Sequence, residues 1–347
     1  MGDSMQKSPH SRKWEHGELP VLYMVSPCFN EQDVLPKSYK LFLEQLHKLV
    51  SDGIVSPESR ILFVDDGSSD ATWQIIERLS DSHAEIEGIS LSGNRGHQNA
   101  LTAGLLVSMN RCDVCISLDC DGQHDPAVMR EMLAKYDEGF DVVYAVRTSR
   151  DTDSFFKKVT SQGFYGLLRV MGVDTIPNAA DFRLMSARVL RAFARYREVN
   201  LYLRGLVPLL GFKSTTIEYT CRERLAGHSH YSLKKMLSLA GNGITSMSVQ
   251  PLHIIFVLGA ACTVLGLVWI VYNLVAFFMG HAVPGWTSTI CAICLFGGVQ
   301  LLSLGIIGEY VGKIYLEAKA RPRFLVEEST FTDLSYEEKL DDVSLSS

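Results

Sequence analysis

From Val21 to about Val146 the chain alternates short β-rich apolar runs with stretches whose apolar positions recur every three or four residues. VLYMVSP, RILFVDD, GISLS, VCISLD and DVVYAV read as strands. Between the first two, LPKSYKLFLEQLHKLV places Leu35, Tyr39, Phe42, Leu43, Leu46, Leu49 and Val50 at helical spacing. ATWQIIERLS does the same with Trp73, Ile76 and Leu79. Strands and helices in alternation predict βαβ units, a mainly parallel sheet, and helices that cover it.

After Pro251 the pattern changes. Ile254 to Gly280 and Ala282 to Gly308 are each about 27 residues without Asp, Glu, Lys or Arg, long enough as helices to cross a hydrocarbon core of roughly 30 Å. Two such spans joined by HAVPGW predict a transmembrane hairpin, with Trp286 and His281 at the interface level. A buried core helix is the plainer alternative. Arg222, Arg224, Lys234 and Lys235 precede the pair, Lys313, Lys319, Arg321 and Arg323 follow it, and the connection has no Lys or Arg. The charge bias therefore predicts that both ends face the cytosol. YSLKKMLSLAGNGITSMSV carries Leu233, Met236, Leu237 and Ala240 on one helical side and two lysines on another, which predicts an interfacial helix. The expected organisation is a flexible lead-in at 1–20, an α/β domain at 21–232, the interfacial helix at 233–250, the hairpin at 251–312 and a tail at 313–347.

Each strand ends in polar or Gly-containing sequence: CFNE, DDGSSD, SGNRGHQN and DCDGQHD. Ligands of open α/β sheets bind beyond the carboxyl ends of the strands, so functional residues should gather on that edge. Asp119 and Asp121 arrive there on an apolar strand, with Gly122 permitting a tight turn and Gln123 and His124 following. Two hard oxygen ligands suit Mg²⁺ or Mn²⁺, which complete their shell with water and substrate phosphates. A capping arrangement or a solvated loop is the plain alternative. Asp65 and Asp66 end another strand and can accept from a base N–H or a ribose hydroxyl, as can Asn30 and Glu31. Ser69 or Asp70 can cap the following helix as well. No G-x-G-x-x-G follows the first strand, so the dinucleotide-binding fingerprint is absent.

Composition narrows the classes. A net charge of -6 and a pI near 5.9 argue against a nucleic-acid binder. Five of the eight cysteines lie in or beside core strands and three in apolar spans, so buried reduced thiols are expected. The C-x-x-C spacings at Cys112/Cys115 and Cys291/Cys294 lack the context of a zinc site. The first 20 residues contain no apolar stretch for a signal peptide, and MGDSMQ lacks the sixth-position Ser or Thr of a myristoylation start.

PCFNE, VDDGSSD and DCD, in this order and at these strand ends, resemble the GT-A glycosyltransferases of family 2. SGNRGHQNALTAG, AVRTSRDTDSFFKK, ADFRLMS, NLYLRG, RERLAGHSHYS and GEYVGKIYLEAKARPRF are similar to the polyisoprenyl-phosphate glycosyltransferases, particularly bacterial bactoprenol glucosyltransferases, with dolichol-phosphate mannosyltransferases more distant. The resemblance runs from about Val21 to Phe324. It implies a Rossmann-like GT-A domain, a nucleotide-sugar donor such as a UDP-hexose, a polyisoprenyl-phosphate acceptor and a divalent metal. By it, Asp119, Asp121 and Gln123 fall on the metal and diphosphate site, and Pro27, Asn30, Glu31, Asp65 and Asp66 on the nucleoside site. Arg147 and Arg150 stand where the family handles phosphate, and Arg183, Arg224, Ser229 and Tyr231 are further acceptor candidates. For any one arginine alone, a surface ion pair is the plain reading.

An acceptor phosphate oxygen is already anionic, so positioning and charge neutralisation by Asp121, Arg147 and the metal should dominate catalysis. Asp181 is expected to orient acceptor or sugar or to act as base, with a buried salt bridge to Arg183 as the alternative. In AGHSHYS this chain has His230 where the family commonly has lysine, which makes that charge pH-dependent. The expected activity is inverting transfer of a hexose, foremost glucose from UDP-glucose, to undecaprenyl phosphate at the cytoplasmic face of the inner membrane. N-acetylglucosamine, mannose or formamido-arabinose are the rival sugars, and a non-catalytic membrane scaffold is the rival class. A processive synthase is disfavoured, since Q-x-x-R-W is absent. Gly297, Gly298 and Gly305 make a homo-oligomer plausible, or serve contacts within one chain.

Overall fold

The computed structural model describes residues 19–147, 166, 170–172, 176–177, 179–220, 241, 243–279 and 285–331. The chain divides into two compact units, one of residues 1–161, 175–231 and 322–347, the other of residues 162–174 and 232–321.

The first unit runs β1 (Leu22–Cys28), α1 (Leu35–Ser51), β2 (Arg60–Asp65), α2 (Thr72–Ser82), β3 (Ile86–Leu91), α3 (His97–Ser108) and β4 (Val114–Ser117). A 3₁₀ turn at Pro126–Val128 leads into α4 (Met129–Asp137) and β5 (Val142–Arg147). Then come β6 (Ala179–Ser186), α5 (Ala187–Phe193), α6 (Leu203–Leu209), β7 (Ser214–Tyr219) and, far along the chain, β8 (Val326–Ser329). The strands form one sheet in the order β7-β5-β6-β4-β1-β2-β3-β8. β1 is parallel to β2 and β4, β2 to β3, and β5 to β7, while β6 runs antiparallel between β4 and β5. The five predicted strands and the mainly parallel sheet are present; β6, β7 and β8 are additional.

Both sheet faces are covered, which explains the unbroken apolar runs. Leu22 and Met24 of β1 with Ile61 and Phe63 of β2 pack under Phe42 and Leu46 of α1, Ile76 of α2 and Met132 of α4. The alternate residues Tyr23, Val25, Leu62 and Val64 pack under α3, α5 and α6. Helix α3 is buried from Ala100 to Ser108. Gly104 lets its backbone press on the sheet, since a Cβ there would fall 2.4 Å from Val25 Cγ1 and 2.7 Å from Val64 Cγ2. Cys28, Cys112, Cys115 and Cys120 are buried free thiols, and burial pushes Cys115 up to about 12.

Part of the predicted tail is structural. β8 lies antiparallel to β3, Trp73 Nε1 donates to Glu328 Oε2 at 2.9 Å, and Gly88 N donates to Thr330 Oγ1 at 2.9 Å. VEES is short and charged, as edge strands are, so its apolar pattern is weak.

The second unit contains α7 (Gln250–Phe278) and α8 (Trp286–Ala318). Gln250–Ala276 and Leu295–Ala318 are long and apolar enough to cross a membrane, and they are 0% and 6% buried. Phe256, Trp269 and Leu301 are among the large apolar side chains exposed along these helices, an exposure that soluble monomers rarely show. The second helix continues past the predicted end at Gly308 through Glu309 and Lys313. Residues 243–247 are helical, and this segment is tied to α8 by Tyr310 Oη donating to Ser248 O at 2.6 Å and Lys313 Nζ donating to Ser246 Oγ at 2.9 Å. Half of the predicted interfacial helix, residues 233–240 and 242, lies outside the described residues.

Candidate active site

The carboxyl ends of β1, β2 and β4 lie side by side, since Cys28 pairs with Asp65 and Val25 with Ser117. β6 runs the other way, so its amino end reaches the same edge. Its register pairs Ser117 with Arg183, the last rung before Asp119 on one strand and Asp181 on the other. Ser117 Oγ donates to the Asp181 carbonyl at 2.6 Å. Two carboxylates from distant parts of the chain thus share one crevice.

Asp119 sits between two imidazoles. His124 Nε2 lies 3.0 Å from its Oδ2 and His97 Nε2 lies 3.6 Å from its Oδ1. Burial works to raise this carboxyl, but the His124 hydrogen bond and the charges of His124 and His97 outweigh it, holding Asp119 at about 2. His124 is itself buried against Phe182, and its Nδ1 lies 2.9 Å from Tyr219 Oη. Arg147 Nε donates to the same hydroxyl at 3.1 Å, which links the ends of β5 and β7 to Asp119.

Asp181 Oδ1 accepts from Arg183 Nη2 at 2.5 Å, and Oδ2 accepts from Arg204 Nη2 at 3.1 Å with His97 Nε2 at 3.6 Å. Burial opposes ionisation, yet His97 and the two guanidinium groups hold this carboxyl well below the usual range. Burial likewise opposes charge on His97, but its contact with Asp181 and the charge of Asp119 raise it overall. Arg183 is 1% exposed and its Nη1 donates to Leu203 O at 3.1 Å, so it lies inside the fold rather than on the crevice wall.

On the other side of the crevice the VDDGSSD turn is packed on the β3–α3 loop. Asp66 accepts from Arg95 N at 2.7 Å and Gly96 N at 2.9 Å, and burial raises it above the usual carboxylate value. Asp65 is buried; its Oδ2 accepts from Ser68 N and Ser90 Oγ, whereas Oδ1 has no hydrogen-bond partner. Asn30, at φ 54°, accepts from Ser69 N at 2.9 Å, and Glu31 N donates to Thr72 Oγ1 at 2.9 Å. Pro27 is buried in β1 opposite Val64.

Asp121 stands two residues after Asp119 and just before the positive-φ Gly122, and its Oδ1 accepts from Gln123 N at 3.0 Å. Among the described residues no group of three or more His, Cys, Asp and Glu is assembled to hold a metal ion. Asp119, Asp121 and Gln123 are nonetheless an all-oxygen side-chain set of the kind that Mg²⁺ or Mn²⁺ uses together with substrate phosphates. Arg150, Arg224, Ser229, His230 and Tyr231 lie outside the described residues. His97, Tyr219 and Arg204 are not marked by the sequence pattern alone, and His124 only as a polar neighbour; the signal for His97, His124 and Arg204 is their place in the motifs SGNRGHQN, DCDGQHD and NLYLRG, whereas Tyr219 lies in none of these.

Comparison with known proteins agrees with this architecture. The model for glycosyl transferase family 2 matches residues 23–198, and that for the GtrB C-terminal hairpin matches residues 250–314. The chain is 46% identical over 308 residues to the uncharacterized glycosyltransferase YkoT of Bacillus subtilis (strain 168), covering 89% of this chain and 91% of that protein. It is 36% identical over 308 residues to the bactoprenol glucosyl transferase of Shigella phage SfX, covering 88% of this chain and 98% of that protein.

Proposed function

This chain belongs to glycosyl transferase family 2, and from that membership we propose that it transfers glucose, with inversion, from UDP-glucose to undecaprenyl phosphate at the cytoplasmic face of the inner membrane. The observation that carries the reading is the likeness to a bactoprenol glucosyl transferase over almost that protein's whole length, with a separate match to the two-helix hairpin. An acceptor whose tail stays in the bilayer is met most readily by an enzyme with membrane helices of its own.

The side chains divide the work. Asp65 and Asp66 suit a base N–H or a ribose hydroxyl of the donor, with Asn30, Glu31 and Pro27 on the nucleoside side. Asp119, Asp121 and Gln123 would hold Mg²⁺ or Mn²⁺, which when bound supplies positive charge to the departing diphosphate. Arg147, steadied by Tyr219, stands at the end of β5 as a cation for phosphate. Arg150, Arg224, Ser229 and Tyr231 are acceptor-side candidates from the same motifs.

Asp181 is a poor proton acceptor, because a carboxyl held far below the usual range gives up little by staying ionised. No strong base is required: the attacking phosphate oxygen is already an anion. Asp181 acts by orienting groups at the crevice, and Arg183 acts by holding Asp181. Bringing the acceptor oxygen in line with the anomeric carbon, with the diphosphate opposite, then accounts for most of the catalysis.

The test is transfer from radiolabelled UDP- and GDP-sugars to undecaprenyl phosphate by the full chain in detergent with Mg²⁺ or Mn²⁺. Lipid-linked label from UDP-glucose, lost with EDTA and in Asp121→Ala, is the expected result. Label from a different donor alone would replace the sugar, and no label from any donor would remove the activity.

A further inference from the structure

We propose that His97 is a positioning residue for the transfer, its imidazole setting the separation of Asp119 and Asp181 across the crevice. The inference rests on the reading above, in which Asp119 belongs to the donor-diphosphate side and Asp181 orients groups at the crevice.

The main chain does not fix that separation. β4 ends at Ser117, so Asp119 stands two residues beyond the last rung it shares with β6, and Leu118 N is bonded to Val25 O on the opposite neighbour. Each carboxylate is anchored from its own side: Asp119 by His124, Asp181 by Arg183 and Arg204. Among the described residues, His97 is the one side chain that touches both, with Nε2 at 3.6 Å from Asp119 Oδ1 and 3.6 Å from Asp181 Oδ2. Two carboxylates at one crevice repel, and an imidazole 3.6 Å from an oxygen of each offsets that and spaces them.

His97 is also delivered by a built turn. Gly96 takes φ 87°, the Asp66 carboxylate holds the N–H groups of Arg95 and Gly96, and the next residue, Gln98, accepts from Leu203 N at 3.1 Å. With its backbone fixed on both sides and its side chain 45% exposed, the imidazole can space the two carboxylates while leaving the crevice open to substrate.

The experiment compares wild type, His97→Ala, His97→Gln and His97→Asn as full chains in detergent, reading kcat and KM with UDP-glucose and undecaprenyl phosphate, and UDP affinity by calorimetry. Displacing either carboxylate should lower kcat in His97→Ala by about tenfold to a hundredfold, with the UDP Kd changed by less than about threefold. Gln, whose amide reaches nearly as far, should recover most of kcat, and Asn, which is shorter, should not. In an Asp181→Asn background His97→Ala should cost much less than in wild type, because the distance it sets no longer matters. Should the alanine variant fail to fold, the Gln-against-Asn comparison decides. Unchanged kcat, a UDP Kd that rises in step with the loss, no difference between Gln and Asn, or full additivity with Asp181→Asn would each overturn the proposal. A silent wild type would overturn the functional reading itself, and is told apart because it precedes any difference between variants.

Discussion

The imidazole of His124 is a buried bridge to Asp119, 3.0 Å from its carboxylate on one side and 2.9 Å from the Tyr219 hydroxyl on the other. It ties the loop after β4 to the end of β7. His124→Ala would leave both partners without their bond and open space against Phe182, whose ring centroid lies 4.8 Å away. The expected loss is about 2–4 kcal/mol of stability, accompanied by loss of transfer. Thermal unfolding in detergent checks it, and an unchanged melting temperature would contradict it.

Asp181 and Arg183 make a different kind of pair, because the arginine is buried. Asp181→Asn removes the charge that compensates a guanidinium inside the fold, a change that costs about 3–5 kcal/mol when a buried pair is broken. Arg204 meets the same carboxylate from a side chain that is 34% exposed, and Arg204→Met should cost about 1 kcal/mol or less. Urea unfolding of the two variants should rank them in that order.

Much of this site could be read before the fold was seen, because its residues stand where apolar runs stop. Asp65, Asp66, Asp119 and Asp121 each end or follow a strand that the pattern marks clearly. What could not be read is the part made by non-local pairing. ADFRLMS buries Asp181 and Arg183 as a pair, so its charges disguise an interior strand, and nothing local says that it returns antiparallel beside β4. Arg183, an acceptor candidate by resemblance and an ion-pair partner of Asp181 by the alternative, makes that ion pair and donates to Leu203 O. His97 acquires meaning only when the α3 turn, β4 and β6 meet. VEES hid for the opposite reason, since a short charged edge strand has no apolar face to show.

The acid side of the stability profile follows from Asp119. Its folded value of about 2 lies below the usual 3.8, so it contributes stability above about pH 4 that is lost as the pH falls toward 2. That contribution is on the order of 2 kcal/mol. Asp119→Asn should therefore melt below wild type at neutral pH, and the gap should narrow between pH 4 and pH 2. Melting curves across that range test the sign; a gap that stays constant would assign the loss to shape rather than charge.

Gly67 packs the VDDGSSD turn against the β3–α3 loop. Its φ is 65°, and a Cβ there would fall 2.5 Å from the carbonyl carbon of Gly93 and 2.7 Å from Asn94 N. Gly67→Ala therefore strains its own turn and forces away the loop whose next residues, Arg95 and Gly96, bond the Asp66 carboxylate and present His97. A backbone clash cannot be relieved by a rotamer change, so we expect a loss of about 2 kcal/mol or more together with a fall in kcat. Gly93→Ala is the matched control: an added methyl there meets nothing within 4 Å, and its stability and turnover should stay close to wild type. Hydrogen exchange at residues 93–97 should quicken in the first variant and not in the second. Equal behaviour of the pair would mean that the two loops do not depend on this backbone contact.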